Sequence, residues 1–210
     1  MLIQRENGYA LNGINFIFFA IPTLLLSLIL YLYIFEEGMD TESWRLYTRY
    51  TARLAFFLFI INFLTSPIYD FYQNKITIFL RNNRRNTGLS FSLAHFIHLQ
   101  AFILFSMNTG ETLDIITIIG GGTGYILLFT MTITSNNFLV RKIGLRNWKI
   151  IHRIGTYYLA FIFAFDYTVR LFNPIMGDIN YTLFSIIWLA ILIRLINFIQ
   201  IRTQENESIK

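Results

Sequence analysis

Cysteine is absent from this chain, and charged residues make up only 14% of it. Without cysteine there can be no disulfide, no cysteine-ligated iron–sulfur cluster, no thiol catalysis and no covalently attached c-type haem. Histidine and proline occur three times each. Any metal centre must therefore use histidine, carboxylate or methionine side chains.

Hydrophobic residues are abundant instead, at 55% of the 210 residues, and a soluble domain of this size could not bury so much apolar surface. About 20 consecutive apolar residues are needed to span a bilayer. Five charge-free runs approach that length: Ile14–Phe35, Leu54–Tyr69, Asn86–Gly110, Ile115–Val140 and Ile179–Ile193. A shorter sixth run becomes a span if its helix extends from about Trp148 to about Phe172. The sequence therefore predicts an all-α fold, a six-helix integral membrane bundle.

We expect a single domain over residues 1–210, with helices at about 14–35, 48–70, 87–107, 113–136, 148–172 and 179–201. The first helix is too long for a cleaved signal peptide, and no small-residue cleavage site follows it. The short apolar segment Ile76–Leu80 should lie along the inner interface. The run Gly120–Gly124 has no strand before it, so it indicates close helix packing rather than a dinucleotide loop. There is no room for a folded flavin or nicotinamide domain.

The net charge of +5 is concentrated in two connections, those between helices 2 and 3 and between helices 4 and 5. By the positive-inside rule these connections and both termini are cytoplasmic, which predicts a multi-pass protein of the plasma (inner) membrane. Arg45, Arg49 and Arg53 are an exception, because this topology places them at the outer end of helix 2. The positive charge is a topology signal and does not indicate nucleic acid binding. The basic residues of the two connections are Lys75, Arg81, Arg84, Arg85, Arg141, Lys142, Arg146 and Lys149.

His98 and His152 lie inside apolar segments of helices 3 and 5, which run in the same direction through the membrane. An ionisable side chain in a membrane span indicates a functional site. Counted from the basic connections, both histidines are near the inner interface, so two imidazoles at matched depth could ligate the two faces of one haem iron. The alternative is a pair of buried polar residues bonded to neighbouring helices. His95, one turn before His98, could replace it as a ligand, bond a haem propionate, or be a supporting packing residue.

Two stretches around these histidines resemble one known family. Arg84–His98, RRNTGLSFSLAHFIH, resembles the Arg-Arg-x-Leu-Gly-Leu…His stretch of the ferric-reductase-like transmembrane family. Thr134–Arg153, TSNNFLVRKIGLRNWKIIHR, resembles the family's Thr-Ser…Arg-x-Leu-Gly…Trp…Leu-His stretch. A weaker likeness, FLTSPIYDFY, closes helix 2. Within the family, the chain looks most like the haem-binding membrane subunit of the bacterial methionine sulfoxide reductase system.

The resemblance implies that His98 and His152 are haem ligands. The family usually carries a further histidine 13 or 14 residues after the position of His152, where this chain has Phe165 and Asp166. Fourteen residues beyond His98 the chain has Thr112, and no fourth histidine exists. We therefore expect one haem b, because the outer site has lost its ligands. Met107 lies nearby but is an unusual partner for a carboxylate in a haem site.

The expected function is that of a membrane cytochrome b that relays electrons and is not a catalyst on its own. The donor would be a cytoplasmic flavin reductase, with FMN supplied by that partner, or a quinol. The acceptor would be a membrane or periplasmic reductase, with methionine sulfoxide reductase a candidate. Arg194 is expected to contact a haem propionate or lipid headgroups. The alternative is a haem-free structural or transporter-like descendant of the same fold, in which Asp166 and Arg170 form either a structural pair or a polar site.

Overall fold

The structure, a computed structural model, describes residues 13–111, 114–172 and 179–207. The regular elements of these segments are all helical, which confirms the all-α class. Two short helices, α3 and α6, accompany six long ones. The helices are α1 Gly13–Ile34, α2 Thr41–Phe71, α3 Lys75–Asn82, α4 Arg84–Thr109, α5 Ile115–Ile133, α6 Asn137–Ile143, α7 Leu145–Leu171 and α8 Ile179–Glu207.

Five helices, α1, α2, α4, α5 and α8, are long and apolar enough to cross a membrane. Helix α7 has 27 residues, or about 40 Å at 1.5 Å per residue, and is therefore long enough. Its composition is less apolar than that of the other five helices, because charged residues occupy both of its ends. These are Arg146, Lys149, Arg153, Asp166 and Arg170. The multi-pass character follows from five helices, whereas the expected sixth span does not follow from length and composition.

Side-chain caps explain why two helix boundaries differ from those expected. Helix α2 begins at Thr41, seven residues before the predicted start, because the Asp40 carboxylate accepts a hydrogen bond from the Ser43 backbone N–H at 2.7 Å. The predicted fourth helix, at about 113–136, corresponds to α5, which ends at Ile133. A short helix that was not predicted, α6, follows it, because the Asn136 side chain caps a new helix at the Leu139 N–H, 2.8 Å away.

The Asp114 carboxylate caps α5 at the backbone N–H of Thr117, 2.7 Å away. This hydrogen bond lowers the pKa of Asp114 below its ordinary value of 3.8. The cap is therefore fully formed above that value and is lost as the pH falls through the lowered pKa.

The long helices form a closed ring in the order α2, α4, α5, α7 and α8, with α8 returning to α2. Helix α1 packs outside this ring against α2 and α4. The Tyr31 ring of α1 packs against the Tyr47 ring of α2, with centroids 5.7 Å apart. Phe35, just after the end of α1, packs against Trp44 of α2, with centroids 4.6 Å apart. The ring arrangement places one face of each of the five helices toward a shared interior.

Phenylalanine side chains fill much of this interior. Phe56, Phe59 and Phe63 of α2 are at most 2% exposed. Phe59 packs against Phe91 of α4, with ring centroids 5.3 Å apart, and against Phe163 of α7, 5.0 Å apart. These three rings form an aromatic layer, Phe59, Phe91 and Phe163, that joins α2, α4 and α7.

Small residues allow α5 and α7 to approach closely. A Cβ added at Gly124 would meet Leu159 and Tyr158, and one added at Gly120 would meet Ile162. The Tyr158 hydroxyl also donates to the Gly120 carbonyl at 3.0 Å. These contacts, at 3.6–3.7 Å, are ordinary van der Waals distances, and a Cβ at Gly121 or Gly122 would meet nothing within 4 Å, so the packing role of the glycine run stays a prediction. The close approach is at Gly155 of α7, where a Cβ would lie 2.6 Å from the Met131 sulfur of α5.

Candidate functional site

His98 of α4 lies beside α2 and near the end of α7. Its Nδ1 is 3.3 Å from the Thr51 hydroxyl, and that hydroxyl also donates to the backbone oxygen of Tyr47 at 2.9 Å. A hydrogen bond with the Thr48 backbone also acts on the ring. Thr48 and Thr51 therefore anchor the His98 ring on α2, and a ligating histidine is commonly oriented by hydrogen bonds of this kind.

His152 of α7 has an equivalent arrangement at the other end of the bundle. Its Nε2 is 3.2 Å from the Thr134 hydroxyl of α5, which donates to the Thr130 backbone oxygen at 2.7 Å. This contact anchors the His152 ring on α5 through Nε2. The Trp148 ring, one turn earlier, covers the imidazole with centroids 4.4 Å apart.

His95 belongs to the aromatic layer rather than to either of these arrangements. Its ring stacks on Tyr125 of α5 at 4.8 Å and contacts Phe91 at 5.4 Å and Phe163 at 5.8 Å. The His98 ring is 5.7 Å from it. Its Nδ1 is buried without a hydrogen-bond partner among the described residues. His95 therefore packs between the helices as a neighbour of His98.

These contacts fix the relative depths of the three histidines. On α7, Phe163 faces His95 and follows His152 by 11 residues, about 16 Å at 1.5 Å per residue. On α5, Tyr125 stacks on His95 and precedes the His152 partner Thr134 by nine residues, about 13 Å. Along the axes of both helices, His152 therefore lies well over 10 Å from His95, toward the end of the bundle where α7 begins.

His98 lies still farther from His152. It is one turn beyond His95 on α4, and the charges of Asp166 and Arg170 act on its ring. Asp166 follows His152 by 14 residues, about 21 Å along α7. The charge that acts on His152 is that of Arg84, at the start of α4. His98 and His152 thus lie at opposite ends of the site, with the aromatic layer between them.

The prediction that His98 and His152 have matched depth is wrong. One iron cannot accept two imidazole nitrogens that are about 20 Å apart, so a single haem ligated by both residues does not fit. Counting from the basic connections treated α4 and α7 as if they began at the same level. Instead, α7 is shifted along its axis so that Phe163, 11 residues after His152, contacts His95, one turn before His98.

Buried donors without a partner lie at the same end of the bundle as His152. Arg85 donates through Nη1 to Asn137 at 2.9 Å, yet its Nε and Nη2 are buried without a partner among the described residues. The indole Nε1 of Trp148 is likewise buried without a hydrogen-bond partner among the described residues. A buried donor without an acceptor costs about 1–3 kcal/mol. Three such atoms at the level of one histidine suit a carboxylate-bearing group, as a haem with its propionates would supply.

Asp166 and Arg170 form the predicted pair at i, i+4, with Arg170 Nε donating to Asp166 Oδ2 at 2.7 Å. Both side chains are partly exposed, at 46% and 34%. That the charges of this pair act on the His98 ring was not predicted from the sequence.

Arg194 of α8 is held on aromatic rings. Its guanidinium lies 4.3 Å from the Phe63 ring centroid and 5.1 Å from that of Tyr157, and it donates to the Phe63 backbone oxygen at 3.2 Å. These contacts place Arg194 on the α2 and α7 faces of the interior, closer to the level of His152 than to that of His98.

The remaining positions considered for an outer haem give no second ligand to His98. Met107 is 76% exposed, Phe165 is 47% exposed, and both lie on the outer surface of the ring. Thr112 lies outside the described residues.

The residues that contact the histidines were not predicted from the sequence. Thr134 and Trp148 are inside the quoted motifs, so a signal existed for these two. Thr51 had none, because a single threonine in an apolar span is ordinary. Comparisons with protein-family models, with characterised proteins and with solved structures find no match for this chain.

Proposed function

We propose that this chain is an electron-relaying membrane subunit in which His152 and His98 hold haem b separately, one at each level. The observation that carries the proposal is the pair of imidazoles inside the bundle, each in contact with a threonine hydroxyl that orients its ring. The two stretches that resemble the ferric-reductase-like family, which contain these histidines, support it as well.

Two levels about 21 Å apart suit transport across a membrane better than one. A single inner centre would leave the outer half of the bilayer without a carrier. When bound, haem supplies reversible one-electron chemistry, and the protein sets its potential through ligation, hydrogen bonding and burial. Here the residues that do so are the threonines that orient the rings and, at the His152 level, the donors Arg85 and Trp148.

The partners follow from the direction of transport. A cytoplasmic flavin reductase carrying FMN, or a quinol, would donate electrons at the His152 level, and a membrane or periplasmic reductase, such as a methionine sulfoxide reductase, would accept them beyond His98. The chain supplies the path between these partners, and the reaction on the final substrate belongs to the acceptor.

We further propose six spans in the inner membrane, with both termini cytoplasmic. Helix α7 packs along α5 and α8, two helices apolar enough to span, so it should cross with them. Arg85 bonds Asn137 at the start of α6, which places both basic connections at one end of the bundle. At the other end Arg45 pairs with Glu42 at 2.7 Å and with Glu111 at 2.9 Å, so its charge is balanced.

Reporter fusions test this orientation. A fusion after Leu145 should be active only with a cytoplasmic reporter, and one after Gly177 only with a periplasmic reporter, because the eight basic residues retain their loops inside. The reverse pattern would place His152 in the outer leaflet.

A visible and electron paramagnetic resonance spectrum of the purified protein tests the haem sites. We expect a Soret band that shifts on dithionite reduction, with a high-spin ferric signal, because each iron has one histidine rather than two. A purely low-spin bis-histidine spectrum would contradict separate ligation. A chain expressed with ample haem that shows no Soret band would contradict the relay.

The absence of a Soret band would favour a second function, a haem-free membrane protein with a proton or cation site. The observation behind it is the polar group formed by Thr51, His98, Asp166 and Arg170 at one end of the interior. Intramembrane carboxylate and histidine side chains commonly mark such pathways. Asp166→Asn would then abolish proton or cation flux in vesicles, with Glu42→Gln, at the periphery, as the matched control.

A further inference from the structure

Two arginines share a single acceptor where α2 meets α3 and α4. Arg81 donates to the Ser66 hydroxyl at 2.9 Å, and Arg84 donates to the same oxygen at 2.7 Å. Arg84 is half-buried, and Arg81 is exposed, with its guanidinium over the Tyr69 ring at 5.1 Å. One neutral hydroxyl therefore serves two cations that each present five N–H donors.

Positive charge is in excess around this point. The charges of Arg81 and Arg194 both act on Arg84, and Asp70 is the one carboxylate that does so. Asp70 accepts a hydrogen bond from Asn197 at 3.3 Å. None of the ion pairs within 4.0 Å in the described part of the chain includes Arg81, Arg84 or Arg194. Three cations thus face one anion, which favours an additional anionic ligand.

An apolar groove begins beside these arginines. It is a cavity of about 190 Å³ between α2 and α3. Two of its lining residues, Thr65 and Leu80, immediately precede Ser66 and Arg81 in the chain. The other lining residues are Ile60, Ile61, Leu64, Ile68 and Thr77. An exposed apolar face of α3, with Ile76 68% and Phe79 54% exposed, continues toward the lipid.

We propose that this corner binds one anionic phospholipid, with its phosphate on Arg81 and Arg84 and part of an acyl chain in the groove. A phosphate offers several charged acceptors to the planar guanidinium groups, which a single hydroxyl cannot. Basic pockets at the membrane interface are suited to such headgroups. Free phosphate would satisfy the arginines but would leave the adjoining groove unused, so the groove favours the lipid.

Native mass spectrometry of the delipidated full chain with added lipid tests the site. We expect phosphatidylglycerol to bind about tenfold more tightly than phosphatidylcholine, because both lipids offer a phosphate but the choline ammonium group is repelled by the excess positive charge of this corner. Arg81→Gln should remove most of this preference, and Arg81→Gln with Arg84→Gln should remove all of it. Arg141→Gln, an exposed arginine in the other short helix, is the matched control and should change nothing.

Two further measurements keep the result decisive. Leu64→Trp fills the groove and should weaken phosphatidylglycerol binding while leaving the arginines in place. Equal binding of the two lipids by the unaltered chain would overturn the proposal. A second result would also overturn it: millimolar inorganic phosphate displaces phosphatidylglycerol, and the Leu64→Trp variant binds phosphatidylglycerol as tightly as the unaltered chain. The site would then recognise free phosphate. If the double variant does not fold, Arg81→Gln alone decides, since its side chain is exposed.

Discussion

His98→Gln and His152→Gln should each retain about half of the haem of the unaltered chain, and the double variant should retain none. The reason is the separation of about 21 Å along α7 between His152 and the level of His98, which gives each iron its own ligand. Glutamine keeps the polarity of the buried position but offers no imidazole nitrogen. The measurement is haem per chain by pyridine haemochrome assay, with a redox titration of each single variant.

The redox titration should show one component in each single variant and two in the unaltered chain. His95→Gln is the matched control. It lies one turn from His98 on the same helix, yet its ring packs in the aromatic layer, so both haems should remain. Complete loss of haem in either His98→Gln or His152→Gln, with the protein still folded, would show that the two residues ligate one iron after all.

Phe56→Ala should destabilise the bundle by about 3 kcal/mol, near the lower end of the range for buried phenylalanine. Phe56 is 0% exposed, and its ring packs edge-on against Phe163 at 5.4 Å and Tyr167 at 4.9 Å. Alanine leaves a cavity where α2 meets α7. The loss of stability falls at the lower end of this range because lipid is as apolar as the protein interior. The free energy lost is then that of side-chain packing rather than that of transfer from water.

Phe57→Ala is the matched control for this prediction. Phe57 is the next residue on the same helix, but it is 46% exposed, so its truncation should cost well under half as much. Unfolding of detergent-solubilised protein by sodium dodecyl sulfate, followed by circular dichroism, measures both variants. Equal loss in the two variants would show that the face of α2 carrying Phe56 is not the packed face.

The fold class was predictable because its cause is local. Long runs without charge can satisfy their backbone hydrogen bonds in lipid only as helices, so the sequence predicted the six long helices without tertiary information. Their ends were less predictable. The caps of Asp40 and Asn136 depend on single hydrogen bonds, and these moved the start of α2 and separated α6 from α5.

The site was predictable only as a set of candidates. Rarity in an apolar chain selected His98 and His152, and the quoted motifs contained Thr134, Trp148 and Arg85. The common depth assigned to the two histidines failed because the count from the basic connections ignored the axial shift of α7 against α4. A shift of that kind is set by how Phe163, Tyr125 and His95 pack, which no spacing within a single helix reports.

By itself, the sequence determined the helical class, the multi-pass character and the small number of side chains able to carry chemistry, since each of these depends on composition or on neighbours in the chain. Only the tertiary structure decided which of them meet. It placed His98 beside Thr51, and His152 beside Thr134 and Trp148. The physical reason is that helix ends are set locally, whereas the register between helices is set by side-chain packing across the bundle.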